Sequence, residues 1–212
     1  NNTAIGSFAM YEGTTTGNFN TMVGVSSGRK MTSGTQNTAS GVNAMELNTT
    51  GAGNVAMGMS ALAVNTTGIQ NTAVGSNTLV ANTTASGNVA LGAYSLQTNT
   101  TGFSNVAVGA FSLQTNTTGF SNVAVGTCQP SGYGAALELN TTGDCNVAVG
   151  NGALRSNTTA NNNTAVGTLA SGCNTTGADN TSVGKKALQV NTTGCRNVAV
   201  GSCALIANTI GV

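Results

Sequence analysis

The chain has 212 residues, a net charge of +1, no His and no Trp; charged residues make up 5% and aromatics 4%. A chain this close to neutral carries no electrostatic footprint for nucleic acid or an anionic membrane, and an ordinary globular domain would have about 25% charged residues. Large side chains are too few for a thick core, yet Val and Ala are too many for a disordered chain, which leaves a thin core spread along one axis.

Repeats provide such a core. Asn followed four residues later by Gly recurs at Asn2, Asn20, Asn37, Asn54, Asn71, Asn88, Asn105, Asn122, Asn146, Asn163, Asn180 and Asn197. The steps are 17 residues, except 18 at the first and 24 between Asn122 and Asn146. The unit reads N-T/V-A-V-G-x-x-A-L-x-x-N-T-T-G-x-x, and its leading Asn is numbered position 0 below. The predicted fold is all-β: a parallel β-solenoid of twelve coils, forming one domain over residues 1–212.

The elements of a unit follow in chain order. Position 3 is apolar in eleven of twelve units, with Ser40 the exception, and position 8 is Leu or Met in ten, with Gly28 and Ser171 breaking the column. Two short apolar stretches bounded by Gly or Asn predict two strands, because neither is long enough for a helix. Gly at position 4 predicts a bend with positive φ or close backbone approach. Asn-Thr-Thr-Gly at positions 11 to 14 predicts a turn, its Gly free to adopt the left-handed conformation. Stacked in register at about 4.8 Å, twelve coils make a rod on the order of 55 Å long. The position-0 Asn side chains are then expected to form a hydrogen-bonded ladder. Strand alternation sets Val at 3 and Leu at 8 opposite Ala at 2 and 7, so the Ala columns are expected to form a smooth face for a neighbouring subunit in a homotrimer.

The coil begun by Asn122 carries an insertion at about 127–136, with the chain's one Pro (Pro130) and one of three Tyr (Tyr133). Insertions in repeat proteins emerge as loops, read here as a tolerated surface loop or as a receptor-contacting one led by Tyr133. Phe103 and Phe120 share position 15 in neighbouring coils, and Tyr94 and Phe111 share position 6. These pairs are expected to stack and support the coil, the other reading being a sugar-stacking strip or filament contact. Asn48, Asn65, Asn82, Asn99, Asn116, Asn140, Asn157, Asn174 and Asn191 each begin Asn-Thr-Thr, a glycosylation sequon if the chain is secreted by a eukaryote and otherwise turn chemistry. The five cysteines, an odd number, all follow residue 127, and none shares a column with a cysteine in the next coil. A disulfide ladder is therefore not expected, and a link between subunits or around the insertion stays open.

Without His, Ser-His-Asp and Cys-His catalysis is impossible, and the five carboxylates (Glu12, Glu46, Glu138, Asp144, Asp179) form no evident pair. No catalytic residue, metal site or cofactor is expected, since CxxC, His and a repeated calcium-binding Asp pattern are all missing. No apolar run is long enough to span a bilayer. The chain has no initiator Met or signal sequence, opens on a repeat and stops inside one, and is read as the ordered part of something longer.

The Asn-Val-Ala-Val-Gly units (Asn105 to Gly109, Asn122 to Gly126, Asn197 to Gly201) resemble repeats in trimeric autotransporter adhesin heads. The Asn-Thr-Thr-Gly turns (Asn99 to Gly102, Asn116 to Gly119, Asn191 to Gly194) resemble repeats in phage and giant-virus tail-fibre-like proteins. The resemblance covers essentially the whole chain and implies a left-handed, trimeric parallel β-roll on a cell or virion surface, attaching to a host glycan or protein receptor. The expected function is an extracellular attachment shaft. The alternatives are a filament of end-to-end stacked coils, suggested by the lack of a polar cap at either end, and an ice-binding solenoid, suggested by the repeated Thr.

Overall fold

The computed structural model describes residues 1–128 and 134–211. Among these residues the protein is all-β. Its strands are β1 (Thr3–Ile5), β2 (Thr21–Val23), β3 (Thr38–Ser40), β4 (Val55–Met57), β5 (Thr72–Val74), β6 (Val89–Leu91), β7 (Val106–Val108), β8 (Val123–Val125), β9 (Val147–Val149), β10 (Thr164–Val166), β11 (Thr181–Val183) and β12 (Val198–Val200). They form one parallel sheet in chain order, each coil pairing only with its neighbours, so the molecule is a β-solenoid of about eleven turns. Register is set column on column, as in Val106↔Val123, Ala107↔Ala124 and Val108↔Val125. The insertion leaves it unchanged, with Val123 paired to Val147.

Each coil has one strand, not the two expected. The second apolar stretch is a run of turns with positive φ at positions 6 and 8, as at Tyr94 (60°) and Leu96 (47°) or Phe111 (64°) and Leu113 (49°). A strand would send positions 7 and 8 to opposite faces. The left-handed residues instead turn both inward, so that Ser95 and Leu96, or Ala61 and Leu62, are all fully buried. They also redirect the backbone. The position-6 amide donates to the preceding coil (Phe111 N to Ala93 O, 3.0 Å) and the position-8 amide to the following one (Leu113 N to Ala136 O, 3.1 Å). Left-handed geometry is unfavourable for a branched side chain, and it persists here because burial of Leu and two-sided hydrogen bonding oppose it in most coils.

The Ala columns are not a subunit-facing surface. Ala56, Ala73, Ala90, Ala107 and Ala124 at position 2 are fully buried, as are Ala61, Ala153 and Ala170 at position 7, and they pack with the position-8 Leu column into one continuous core. With a single sheet per coil, position 2 is the one strand residue that can face inward, which leaves positions 1 and 3 outside. Position 3 is accordingly exposed, at 36% for Val125 and 37% for Val166. Where the core columns change, they change together. Met22 replaces Ala at position 2 of the coil in which Gly28 replaces Leu at position 8, and a Cβ on Gly28 would lie 2.8 Å from the Met22 sulfur. Ser171 at position 8 meets Ser182 at position 2 of the next coil in a buried 2.9 Å hydrogen bond.

Gly at position 4 behaves as expected. Gly109 has φ +123°, and a Cβ there would meet the Gly126 carbonyl carbon at 2.9 Å. The turn Gly at position 14 is not left-handed. A Cβ on Gly102 would instead strike the Gly119 oxygen at 2.3 Å and the Asn99 Oδ1 at 2.5 Å. Position 14 needs a small residue because of crowding, and Ala85 and Ala160 fill it in two coils, almost wholly buried.

Candidate functional site

The polar side chains at the centre of each coil are used along the rod axis. At position 0, Asn105 Nδ2 donates to the Gly119 carbonyl of its own coil at 2.8 Å, and its Oδ1 accepts the Asn122 backbone N–H at 3.0 Å and Asn122 Nδ2 at 3.1 Å. The Asn122 Oδ1 bonds Asn146 in the same way across the insertion. The expected ladder is present from Asn2 to Asn197, with the interior members Asn20 to Asn180 buried.

A second ladder occupies position 11. Asn116 Nδ2 donates to Asn99 Oδ1 at 2.8 Å and to Gly119 O at 2.9 Å, so both ladders converge on the position-14 carbonyl. Where Met31 replaces the position-11 Asn, its sulfur accepts Asn48 Nδ2 at 3.3 Å. Asn48, Asn65, Asn82, Asn99, Asn116, Asn140, Asn157, Asn174 and Asn191 are all 0% exposed. A glycan on any of these nitrogens would displace core hydrogen bonds, so the sequon reading is corrected: the folded coil holds these amides inside. Position 12 adds a third ladder, with Thr100 Oγ1 bonding the Thr117 carbonyl at 3.1 Å and Thr117 Oγ1 the Thr141 carbonyl at 3.1 Å. The position-13 hydroxyl residues, such as Thr101 and Thr118, stay exposed.

Outside the core, the sequence-expected aromatic pairs are both formed. Phe103 and Phe120 stack with centroids 4.9 Å apart at 1°, and Tyr94 and Phe111 at 5.2 Å and 9°. Phe103 is 48% exposed, so its outer surface remains open to a planar ligand. Tyr133 lies outside the described residues. The stems of its insertion are tethered: Asn151 Nδ2 donates to the Thr127 carbonyl, and Glu138 Oε2 accepts the Ala135 N–H at 3.1 Å and Arg155 Nε at 3.3 Å. All five cysteines are free thiols.

Charge follows the columns too. Arg29 bridges Glu12 at 2.9 Å and Glu46 at 2.5 Å, and all three sit on one edge of successive coils. Taken one at a time in the sequence, these carboxylates form no evident pair. Their signal was the 17-residue spacing of Glu12, Arg29 and Glu46, repeated between Glu138 and Arg155, the same spacing that revealed the Asn ladder. Among the described residues there is no ligand-sized cavity and no cluster of three or more metal-ligating side chains, and no helix is long and apolar enough to cross a membrane. Comparison with family models, curated proteins and solved structures finds no match to the chain.

Proposed function

We propose that this chain is a non-catalytic attachment shaft, a homotrimeric segment of an extracellular fibre displayed on a cell or virion surface. The observation that carries this reading is the direction in which the polar chemistry is used. The interior Asn and Thr side chains bond from coil to coil along the axis, which stiffens a rod of constant cross-section and leaves few groups to converge on a substrate. The resemblance of the repeats to adhesin-head and tail-fibre units supports the same role. The stacked aromatic pairs Phe103–Phe120 and Tyr94–Phe111 are then the described residues best suited to a host glycan, because an exposed ring face offers a flat apolar platform to a sugar.

Light scattering after size exclusion tests the shaft. A discrete species near three times 20.7 kDa is expected. A broad high-mass distribution, with rods visible by negative stain, would replace this reading with the end-to-end filament. For the aromatic platform, Phe103→Ala with Phe120→Ala should abolish binding on a glycan array without changing the far-UV circular dichroism.

A further inference from the structure

Asn151, which tethers the insertion stem, begins the chain's one Asn-Gly dipeptide; every other Asn is followed by Thr, Val, Ala, Asn or Phe. Gly152 is set by the coil beyond it. Other residues at position 6 carry side chains at a similar φ, as Tyr94 (60°) and Phe111 (64°) do, but a Cβ on Gly152 would lie 2.7 Å from Leu169 Cδ2. The hydrogen bonding at this step also departs from the repeat. In most coils the position-6 amide donates to the position-5 carbonyl of the preceding coil, as Leu169 N does to Asn151 O at 2.9 Å and Lys186 N to Thr168 O at 2.9 Å. The equivalent acceptor for Gly152 is the Thr127 carbonyl, and the Asn151 side chain takes it through Nδ2. The Gly152 N–H has no backbone acceptor among the described residues.

We infer that Asn151 is a site of spontaneous deamidation driven by its own coil, and that the reaction releases the Thr127 stem. Because Nδ2 holds the carbonyl that the Gly152 N–H would otherwise hold, the Asn151 side chain folds over the next peptide and brings its Cγ alongside the Gly152 nitrogen. That nitrogen, after losing its proton to hydroxide, attacks Cγ and closes a succinimide ring. The Cγ–Nδ2 bond breaks, and ammonia leaves with a proton returned from water. Water then opens either imide carbonyl, leaving aspartate or, with the backbone routed through the side chain, isoaspartate. The balance needs only water. An intramolecular attack gains from proximity, and Gly has no side chain to shield its nitrogen. The ladder Asn lack both advantages: Asn105 and Asn116 commit Nδ2 to core acceptors and precede the β-branched Val106 and Thr117. Asn151 is only partly buried, so water and hydroxide reach it. The product carboxylate cannot donate to the Thr127 carbonyl and repels it, so the stem loses that tether.

Peptide mapping of the folded chain during incubation in warm, mildly alkaline buffer tests the site. The peptide carrying Asn151 should gain the mass of an amide-to-acid exchange several-fold faster than any other Asn-containing peptide, and faster still as pH rises. It should also accept methyl groups from an isoaspartyl methyltransferase. Asn151→Gln, whose longer side chain closes a ring far more slowly, should keep its mass. The folded chain should react at least as fast as the same chain unfolded in urea. Slower reaction in the folded chain, or no preference for Asn151, would overturn the site. Release of the stem is read at the neighbouring thiol. Asn151→Asp and the uncharged Asn151→Ala should both raise alkylation of Cys128 several-fold against the exposed Cys173, with an unchanged far-UV spectrum showing that the coils persist. Cys128 labelling at the parent rate in both variants would overturn the release.

Discussion

The exchange at Met22 and Gly28 makes a strong quantitative claim. Met22 fills the space that Leu fills from position 8 in most other coils, and it is fully buried. Met22→Ala alone should open a cavity and destabilise its coil by about 3 kcal/mol, within the range for such truncations. Gly28→Leu alone should overpack the site by about 2 kcal/mol, because the first added atom already lies 2.8 Å from sulfur. Backbone strain adds little. Gly28 has φ +57°, and Leu62 and Leu96 occupy the same position at 51° and 47°. Together the two substitutions recreate the commonest core layer, Ala facing Leu. The double variant should therefore lie within about 1 kcal/mol of the parent, although additivity predicts a loss of about 5 kcal/mol. Because long arrays can unfold piecewise, the appropriate assay is native-state hydrogen exchange at the Gly24, Ser26 and Gly28 amides, which bond to coils 1 and 3. Each single variant should lower protection by roughly 30- to 150-fold, at one decade per about 1.4 kcal/mol, and the double variant should restore it. Additive losses would refute the idea that the two columns share one volume.

Other perturbations test separate parts of the coil. Asn105→Ala orphans the buried Asn122 N–H and removes a donor from Gly119, so it should cost about 2–4 kcal/mol by denaturant unfolding. Asn116→Ala should behave similarly, while Thr118→Ala on the exposed column should be within about 0.5 kcal/mol of neutral. Gly109→Ala forces a Cβ against the Gly126 backbone at a positive φ and should cost more than about 3 kcal/mol, visible as lost exchange protection in the coils begun by Asn105 and Asn122. Ser171→Leu with Ser182→Ala should raise the unfolding midpoint by replacing a buried hydroxyl pair with the common apolar layer, whereas Ser171→Ala alone should lower it. Arg29→Met should change stability by no more than about 1 kcal/mol, an effect that fades in high salt, since its ion pairs are partly solvated.

Period, coil count and the position-0 ladder were legible in the sequence because all three are statements about residues 17 apart, and stacking converts that spacing directly into contact. Gly at position 4 was legible for the same reason: its need arises from the coil above. The position-11 ladder hid behind an ordinary local explanation, since Asn-Thr-Thr-Gly reads equally well as a turn. The ion-paired column hid because Glu12, Arg29 and Glu46 were weighed singly and not as one column.

What only the tertiary structure decided was which side of the coil is inside. Alternation along the chain places Ala at 2 opposite Val at 3, but it carries no sign, and it fails wherever a residue turns left-handed. The positive φ at Tyr94 and Leu96, or at Phe111 and Leu113, follows from closing a 17-residue ring around a single sheet, a constraint that no local stretch of sequence contains. Closure drew Ala at 2 and 7 and Leu at 8 into one core, curled the Asn-Thr-Thr-Gly segment so that its amide points inward, and left the position-3 Val column facing outward. The amino-acid order therefore determined a stacked coil and its ladders. The inward and outward faces, and with them the surface available to a partner, came from the ring closing on itself.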